Sequence, residues 1–208
     1  MPRPLRIEFP GAWHHVMNRG ASRRDVFLDV NDRLVFLDLL AKYSAKTSIE
    51  IHAYCLMGNH FHLLVRSPLG NMSEMMQMVS GRYARYFNDR HGRDGALCRG
   101  RYKSILIDSE RYLLAVSRYI HRNPLVFLDK PLRTYGWSSY PAYLGLRQRA
   151  DWLYLGETLA AVGGRTRYEG LVESPLDTDV DELHRRPNTP AVLGSADFKT
   201  KVVNSNGV

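Results

Sequence analysis

Paired cysteines and long apolar runs are both lacking in this 208-residue chain. Its two cysteines, Cys55 and Cys98, are far apart and show no CxxC spacing, which argues against a disulfide scaffold or a cysteine-ligated zinc site. We expect both to be free, buried thiols in a reducing compartment. No segment approaches the roughly 18 apolar residues that a membrane-spanning helix needs, and the N-terminus has no apolar signal-peptide core. The sequence therefore predicts a cytoplasmic protein without membrane contact.

Acidic side chains are scarce in the larger, N-terminal part of the chain. Residues 1–149 hold 23 Lys and Arg against 12 Asp and Glu, a net charge of +11, whereas residues 150–208 hold 6 against 9, a net charge of −3. A positive surface favours a polyanionic partner, because each neutralised phosphate releases counterions. Charge alone does not identify that partner, but it separates a basic region from an acidic extension.

Hydrophobic periodicity predicts the order strand, helix, strand, strand, helix, strand in the first part of the chain. Strands are predicted at 13–18, 50–57, 60–66 and 102–107, and helices at 31–46 and 72–90. Asn31 or Asp32 can cap the first helix, and Gly58-Asn59 is a hairpin signal. The order βαββαβ is that of the ferredoxin-like α+β fold, an antiparallel sheet with two helices on one face.

Further helices are predicted after this unit. One spans 110–123 and ends before Pro124. Beyond it, the pattern predicts a turn and a short helix at 136–145 and a helical stretch at 155–172. Residues 173–190 are acidic and contain proline, so we expect a mobile linker there.

The segment Gly58-Asn59-His60-Phe61-His62-Leu63-Leu64 is the most informative part of the sequence. Side chains alternate along a strand, so His60 and His62 project from the same face. Two imidazoles side by side on a rigid strand form half of a divalent-metal site. A bare pair of this kind is more often two solvent-facing histidines, but the apolar strand and the preceding hairpin favour a metal site here.

Tyr119 lies on the predicted helix at 110–123, and Asn123 follows one turn later on the same face. A nucleophilic tyrosine and an amide oxygen that ligates a metal can therefore point into one site. Equally, Tyr119 can be a core aromatic residue and Asn123 a helix cap. Tyr112, seven residues before Tyr119, is the main rival nucleophile, whereas Tyr83 and Tyr86 suit the core or stacking on DNA.

These motifs resemble those of the HUH single-tyrosine transposases (insertion sequence 200-like transposases), and within them the REP-associated tyrosine transposases. GNHFHLL resembles the family's His-hydrophobe-His motif, and RYIHRNP resembles its tyrosine helix. PGAWHHVMNRG, RGRYKSILID and WSSYPAYLG resemble further segments of the family in the same order, and LGSADF near the C-terminus also has the character of this group. The resemblance extends from about Pro10 to Gly145.

The resemblance implies a metal-dependent endonuclease that nicks and rejoins single-stranded DNA next to REP-like hairpins. Tyr119 would be the nucleophile and would form a 5′-phosphotyrosine, and His60, His62 and Asn123 would hold Mg²⁺ or Mn²⁺. Asn123 stands where related transposases have Gln, and its side chain is shorter. No nucleotide cofactor is required, because the adduct keeps the phosphodiester energy. Residues 1–149 would form the transposase domain and residues 150–208 a helical extension with a partly mobile acidic tail, and the REP-associated branch favours a monomer over a homodimer.

Candidate DNA-binding residues are the basic side chains of three segments. Each of them alone is more often a solvated surface charge, but Arg pairs with phosphate and stacks on bases, and Tyr83 and Tyr86 are interleaved with two of them. The predicted set is Arg3, Arg6, Arg82, Arg85, Arg99, Arg101 and Lys103.

Two other functions share parts of this pattern. RNA-recognition modules use a ferredoxin-like sheet but present aromatic side chains on the central strands, where this chain has histidines. Replication initiators and relaxases share the HUH chemistry but are usually larger and often carry a second nucleophilic tyrosine. Only Tyr112 could serve as that second tyrosine.

Overall fold

A five-stranded sheet with helices on both faces forms the centre of the protein, and the computed structural model describes residues 6–175, Val180 and residues 190–206. The strands are β1 (Ala12–Arg19), β2 (Glu50–Leu56), β3 (His60–Ser67), β4 (Lys103–Ile107) and β5 (Val192–Leu193). They lie in the order β2-β3-β1-β4-β5, and β1 to β4 are antiparallel. This arrangement confirms the predicted ferredoxin-like fold.

The short strand β5 extends the sheet beyond the predicted pattern. It pairs in parallel with β4, where Val192 lies opposite Leu106 and Leu193 opposite Ile107. Helix α7 (Ala196–Asn206) follows it. The edge of β4 is therefore covered by a segment from the C-terminal region, which limits pairing of that edge with another chain.

Two long helices cover one face of the sheet. Helix α1 (Val30–Thr47) and helix α2 (Met72–His91) share a core with Phe61, Leu63 and Val65 of β3. These apolar side chains alternate with His60, His62 and Leu64, which therefore face the other way. The predicted pair of helices on one face is confirmed.

Helix α3 (Ser109–Arg122) covers the opposite face. Its buried Leu113, Val116 and Ile120 share a second core with Trp13 and Leu64 of the sheet. The spacing of three and four residues places one apolar stripe of α3 against the strands. The face that carries the two histidines of β3 is thus the face that α3 covers.

Three short helices follow α3: α4 (Tyr140–Tyr143), α5 (Gly156–Val162) and α6 (Arg165–Glu173). The single helical stretch predicted at 155–172 is divided, because Gly163 and Gly164 adopt positive φ angles of 84° and 108° between α5 and α6. Most of the predicted mobile linker at 173–190 lies outside the described residues, as does Arg3.

Within the part of the chain that the structure describes, no helix combines the length and apolar character needed to cross a bilayer. Both cysteines are free, as predicted, but only Cys55 is buried, whereas Cys98 is half-exposed.

The cap of α1 differs from the prediction. The helix begins at Val30, and Asp29 is its N-cap, with a carboxylate oxygen that accepts a hydrogen bond from the Asp32 backbone N–H at 3.0 Å. Asn31 and Asp32 lie inside the first turn instead. Asp32 is fully buried and accepts hydrogen bonds from the Leu28 N–H, at 2.8 Å, and from Arg90 of α2, at 2.6 Å.

The network around Asp32 joins α1 to α2, because His91 contributes a further hydrogen bond at 3.0 Å. Burial raises the pKa of Asp32, but hydrogen bonds from His91, the Leu28 N–H and Arg90 outweigh it and hold the pKa below its usual value. The carboxylate is therefore a charged, buried link between the two helices.

Replacement of Asp32 by Ala should lower the free energy of unfolding by about 3 kcal/mol, because it removes the buried carboxylate that accepts hydrogen bonds from the Leu28 N–H, Arg90 and His91. Asp38→Ala, at an exposed position of the same helix, is the control. Since the folded-state pKa is depressed, the contribution of Asp32 is present above the unfolded pKa of about 3.9 and is lost as the pH falls further. Urea unfolding at pH 7 and pH 3 measures both effects, and equal midpoints for the two variants at pH 7 would contradict the assignment.

Candidate active site

The helix α3 places Tyr119 directly against a histidine of β3. The rings of Tyr119 and His62 meet edge-on, with centroids 5.6 Å apart and an interplanar angle of 84°. His60 is the next histidine on the same face, with its ring centroid 5.1 Å from that of His62. The structure therefore brings three of the predicted site residues together.

The rival nucleophile Tyr112 lies elsewhere on the helix. Seven residues correspond to about 10 Å along a helix axis. Among the described residues Tyr112 has no ring contact with His60 or His62, and its cationic neighbour is Arg111, 5.9 Å from the ring centroid. The geometry thus favours Tyr119 over Tyr112.

A third histidine, His15 of β1, completes this cluster and was missed by sequence reasoning. Its Nε2 shares a buried hydrogen bond of 2.9 Å with Nδ1 of His62, and its ring centroid lies 5.7 Å from that of Tyr119. The bond engages Nδ1 of His62, so Nε2 is the nitrogen through which His62 would ligate a metal. Alternation along β1 could have placed His15 on one face, but only the strand order makes it a neighbour of His62.

Asn123 is the cap of α3, which is one of the two roles that the sequence left open. It follows the last residue of α3 as the C-cap, and its Nδ2 donates a hydrogen bond of 3.0 Å to the backbone carbonyl of Tyr119. Its side chain also lies close enough to His60 to raise the pKa of that imidazole. The cap thus holds an amide group next to the first histidine of β3.

His60 is held in its neutral form by its surroundings. Burial and the positive charge of Arg19 lower its pKa to about 4, although the nearby side chain of Asn123 acts to raise it. Its Nδ1 shares a hydrogen bond of 2.6 Å with Oδ1 of Asn59. A neutral imidazole oriented by a neighbouring side chain is the form of histidine that binds metals.

The donor groups at this site could hold a divalent metal only if histidine nitrogens and oxygen ligands act together. Among the residues that the structure describes, no three His, Cys, Asp or Glu side chains are arranged to hold an ion. His60 and His62 would therefore need the amide oxygen of Asn123, together with oxygen ligands from substrate or solvent. Two imidazoles with neutral oxygen donors suit Mn²⁺, and the oxygen donors also suit Mg²⁺.

The opposite side of α3 is held by α6. Arg118 is almost fully buried, and its guanidinium donates to the carbonyls of Leu171, at 2.9 Å, and Ser174, at 2.8 Å. Arg122 donates to the carbonyls of Val172 and Ser174, both at 2.7 Å. These donors satisfy carbonyls at the C-terminal end of α6, which the helix itself leaves unpaired.

A buried polar network adds a second attachment of α3. His121 shares hydrogen bonds with Tyr168 of α6, at 2.7 Å, and with Ser139, at 2.6 Å, while Ser117 also bonds the Tyr168 hydroxyl. Burial lowers the pKa of His121 to about 3, so the imidazole stays neutral. Tyr119 is thus carried by a helix that is fixed on both sides.

Four of the predicted DNA-binding residues lie at the same end of the sheet as His60. Met17 of β1 pairs with Lys103 of β4 on one side and with His62 of β3 on the other. Arg99 precedes it and donates its backbone N–H to the Arg19 carbonyl at 3.0 Å. The guanidinium of Arg6 stacks 3.8 Å above the centre of the Tyr102 ring, next to Arg101. Arg99, Arg101 and Lys103 are exposed.

Arg82 and Arg85 are not brought to this site. Both are exposed on α2, which covers the face of the sheet opposite the histidines. Between them, Tyr83 is buried and donates its hydroxyl to the Val26 carbonyl at 2.6 Å. Tyr86 accepts a hydrogen bond from Asn31 at 2.8 Å. The sequence left core packing or stacking on DNA open for Tyr83 and Tyr86, and Tyr83 packs in the core.

Residues 9–123 match the family model of IS200-like transposases, a range that runs from just before β1 to the cap of α3. A solved structure of a REP-associated tyrosine transposase bound to a REP hairpin is similar, with a TM-score of 0.59 at 16% identity, covering 76% of this chain and 93% of that chain. A putative transposase from Deinococcus radiodurans R1 gives a TM-score of 0.40 at 19% identity, covering 58% and 97%. The first similarity shows the fold, and the second is too low to support an argument. No curated protein sequence matches the chain.

Proposed function

The chain belongs to the IS200-like transposase family, and we propose on that premise that it nicks and rejoins single-stranded DNA through a covalent bond to Tyr119. The observation that carries this proposal is the contact of Tyr119 with His62 and His15 on the covered face of the sheet. A tyrosine fixed beside His62, which shares its face of the strand with His60 and so forms a possible metal site, suits attack on a phosphodiester.

In the proposed reaction the phenolic oxygen of Tyr119 attacks phosphorus. A bond forms between this oxygen and phosphorus, and the bond to the 3′ oxygen breaks. The departing 3′ oxygen takes up a proton from solvent, which gives a free 3′-hydroxyl and a 5′-phosphotyrosine. The phenolic proton passes to solvent or to a neighbouring base. A 3′-hydroxyl can later attack the adduct and restore Tyr119, so nicking and joining are one reaction run in two directions.

We propose that His60, His62 and Asn123 hold Mg²⁺ or Mn²⁺ at this site, with His15 as the residue that orients His62. When bound, such an ion offsets the negative charge of the scissile phosphate. The neutral state of His60 and the hydrogen bond between His15 and His62 support this assignment. Asn123 supports it less strongly, because its amide also caps α3.

The proposed substrate is a DNA hairpin with a single-stranded flank, of the REP type. The similar structure is of a transposase bound to a REP hairpin, and the exposed cations beside His60 suit a polyanion. The ring contacts of Tyr119 with His62 and of His62 with His60 lie within one chain, which supports the use of Tyr119 in its own subunit. We propose that the protein acts as a monomer.

We also propose that residues 1–149 form the catalytic region and residues 150–208 its extension. The contacts of α6 with Arg118, Arg122 and His121 give the extension a supporting role for the tyrosine helix. The rival functions have less support. Helices cover both faces of the sheet, which leaves little of the exposed aromatic surface that RNA-recognition modules use, and Tyr112 does not join the site.

Tyr119→Phe should abolish covalent adducts with hairpin DNA, because it removes the nucleophilic oxygen and keeps the ring contacts with His62 and His15. Folding and DNA binding should stay near those of the unaltered protein. Adducts are detected on a denaturing gel with end-labelled oligonucleotides. Tyr112→Phe is the matched variant on the same helix, and the assignment of the nucleophile is wrong if only Tyr112→Phe loses the adduct.

Substitutions around the metal should have graded effects. His60→Ala or His62→Ala should remove most cleavage, Asn123→Ala should do less harm because water can replace a neutral amide, and His15→Ala should cost about 10–100-fold through the orientation of His62. His14→Ala is the control, because His14 is buried next to His15 on β1 and shares its hydrogen bond with Ser104 instead.

Chelator should stop cleavage, and Mg²⁺ or Mn²⁺ should restore it. Full cleavage in excess chelator would exclude the metal.

Cutting should occur in single-stranded DNA beside a hairpin and hardly at all in the same sequence annealed to its complement. Duplex DNA is stiff, so its backbone is less able to bend a single phosphate into line between α3 and β3. Hairpin RNA should react poorly, because its 2′-hydroxyls and A-form stem change the backbone geometry. Initial adduct yields on matched hairpin DNA, duplex DNA and hairpin RNA measure this. Equal yields on the duplex would exclude the single-strand requirement, and faster reaction with RNA would overturn the DNA assignment.

A further inference from the structure

The loop that leaves β1 beside the site carries three exposed arginines in six residues. Arg19, Arg23 and Arg24 all have exposed side chains, and none of them forms an ion pair with a carboxylate of the described residues. We refer to residues 19–24 as the arginine loop. Cations that are clustered without acidic partners repel one another, and an anionic ligand removes that repulsion.

The first of these arginines lies on the same face of the sheet as the histidines. Arg19 is directly opposite His60 in the pairing of β1 with β3. Residues opposite each other in an antiparallel pair project from the same face, so Arg19 is next to His60 on the side that α3 covers. Its positive charge is therefore at the entrance to the Tyr119 site.

The backbone of the arginine loop is held in an unusual conformation. Ser22 and Arg23 adopt positive φ angles of 53° and 61°, although neither is glycine. At Gly20 a Cβ atom would collide with the carbonyl of Arg24. Such backbone persists only where surrounding contacts hold it, and it is concentrated at functional sites.

Asn59 supplies the contacts that hold the arginine loop to the site. Its backbone carbonyl accepts a hydrogen bond from the Gly20 N–H at 2.9 Å, and its Nδ2 donates to the Arg23 carbonyl at 3.1 Å. Its Oδ1 shares the hydrogen bond with Nδ1 of His60. One side chain thus fixes both the position of Arg23 and the orientation of His60.

A second basic segment is attached to the other side of the arginine loop. Ala21 donates its N–H to the Leu97 carbonyl at 3.0 Å, and Gly20 forms a β-bridge with Cys98. This attachment aligns the arginine loop with the segment that carries Arg99, Arg101 and Lys103. The two segments form one cationic surface that ends at His60.

We propose that Arg19, Arg23 and Arg24 bind the backbone phosphates of the single strand that enters the Tyr119 site, within a few nucleotides of the scissile bond. This proposal rests on the proposed function. Guanidinium groups bind phosphate oxygens through paired hydrogen bonds and do so without regard to base sequence. The arginine loop therefore holds the strand, and base recognition belongs to other parts of the surface.

The test measures binding of a labelled hairpin DNA with a single-stranded flank to the full chain by fluorescence anisotropy, in chelator, over a range of salt concentrations. Arg19→Ala, Arg23→Asn and Arg24→Ala are compared singly and together, and Asn is chosen because it tolerates a positive φ angle. The plot of log affinity against log salt has a negative slope. Each single substitution should make that slope shallower by about 0.7, the value per phosphate contact for single strands. Arg167→Ala, exposed on α6, is the control and should leave the slope unchanged.

A second measurement locates the phosphates that the arginine loop contacts. Each phosphate of the flank is replaced in turn by a neutral methylphosphonate. Replacements near the cleaved bond should weaken binding of the unaltered protein several-fold and have little effect on the triple variant. Slopes equal to that of Arg167→Ala, or the same methylphosphonate sensitivity in the triple variant, would overturn the proposal.

Adduct formation with Mg²⁺ or Mn²⁺ separates this proposal from the proposed function. If the unaltered protein forms adducts but the slopes of the loop variants are unchanged, the phosphate site is excluded and the proposed function is not. If phosphate binding depends on the arginine loop but no adduct forms under these conditions, the proposed chemistry is excluded and the phosphate site is not.

Discussion

The antiparallel register between β1 and β3 is the constraint on which the site depends. It pairs Arg19 with His60 and Met17 with His62, and it brings His15 within hydrogen-bonding distance of His62. Because side chains alternate along a strand, a shift by one residue would turn both histidines toward α1 and α2. Apolar side chains of these two central strands are packed on both faces of the sheet, so the two cores hold the register and with it the site.

The position of Tyr119 depends on a different set of interactions. Helix α3 contacts the sheet with an apolar stripe and contacts α6 with buried polar side chains. Arg118 carries a charge that would be costly to bury alone, and its hydrogen bonds to α6 carbonyls offset that cost. Such directional bonds limit rotation and sliding of α3 more than apolar packing does. Tyr119 is therefore positioned by the C-terminal region as well as by the sheet.

Periodicity was sufficient for the central fold, because each strand and long helix has a clear apolar repeat and a distinct boundary signal. The alternating pattern of β3 and the hairpin before it gave both the strand and the shared face of His60 and His62. Boundaries that depend on local capping were harder to predict, as Asp29 rather than Asn31 or Asp32 caps α1. The division of the last helical stretch at Gly163 and the pairing of β5 with β4 depend on tertiary packing, and no local repeat encodes them.

By itself the sequence determined the local groups of the candidate site: a histidine pair on one strand, and a tyrosine one helical turn before an asparagine. These features are local, because strand alternation and helix geometry fix them within a few residues. Only the tertiary structure decided which residues meet across the fold, since strand order and register depend on the packing of the whole core. It alone joined His15 to His62, separated Tyr112 from the site, placed Arg82 and Arg85 on the far face, and brought the arginine loop beside His60.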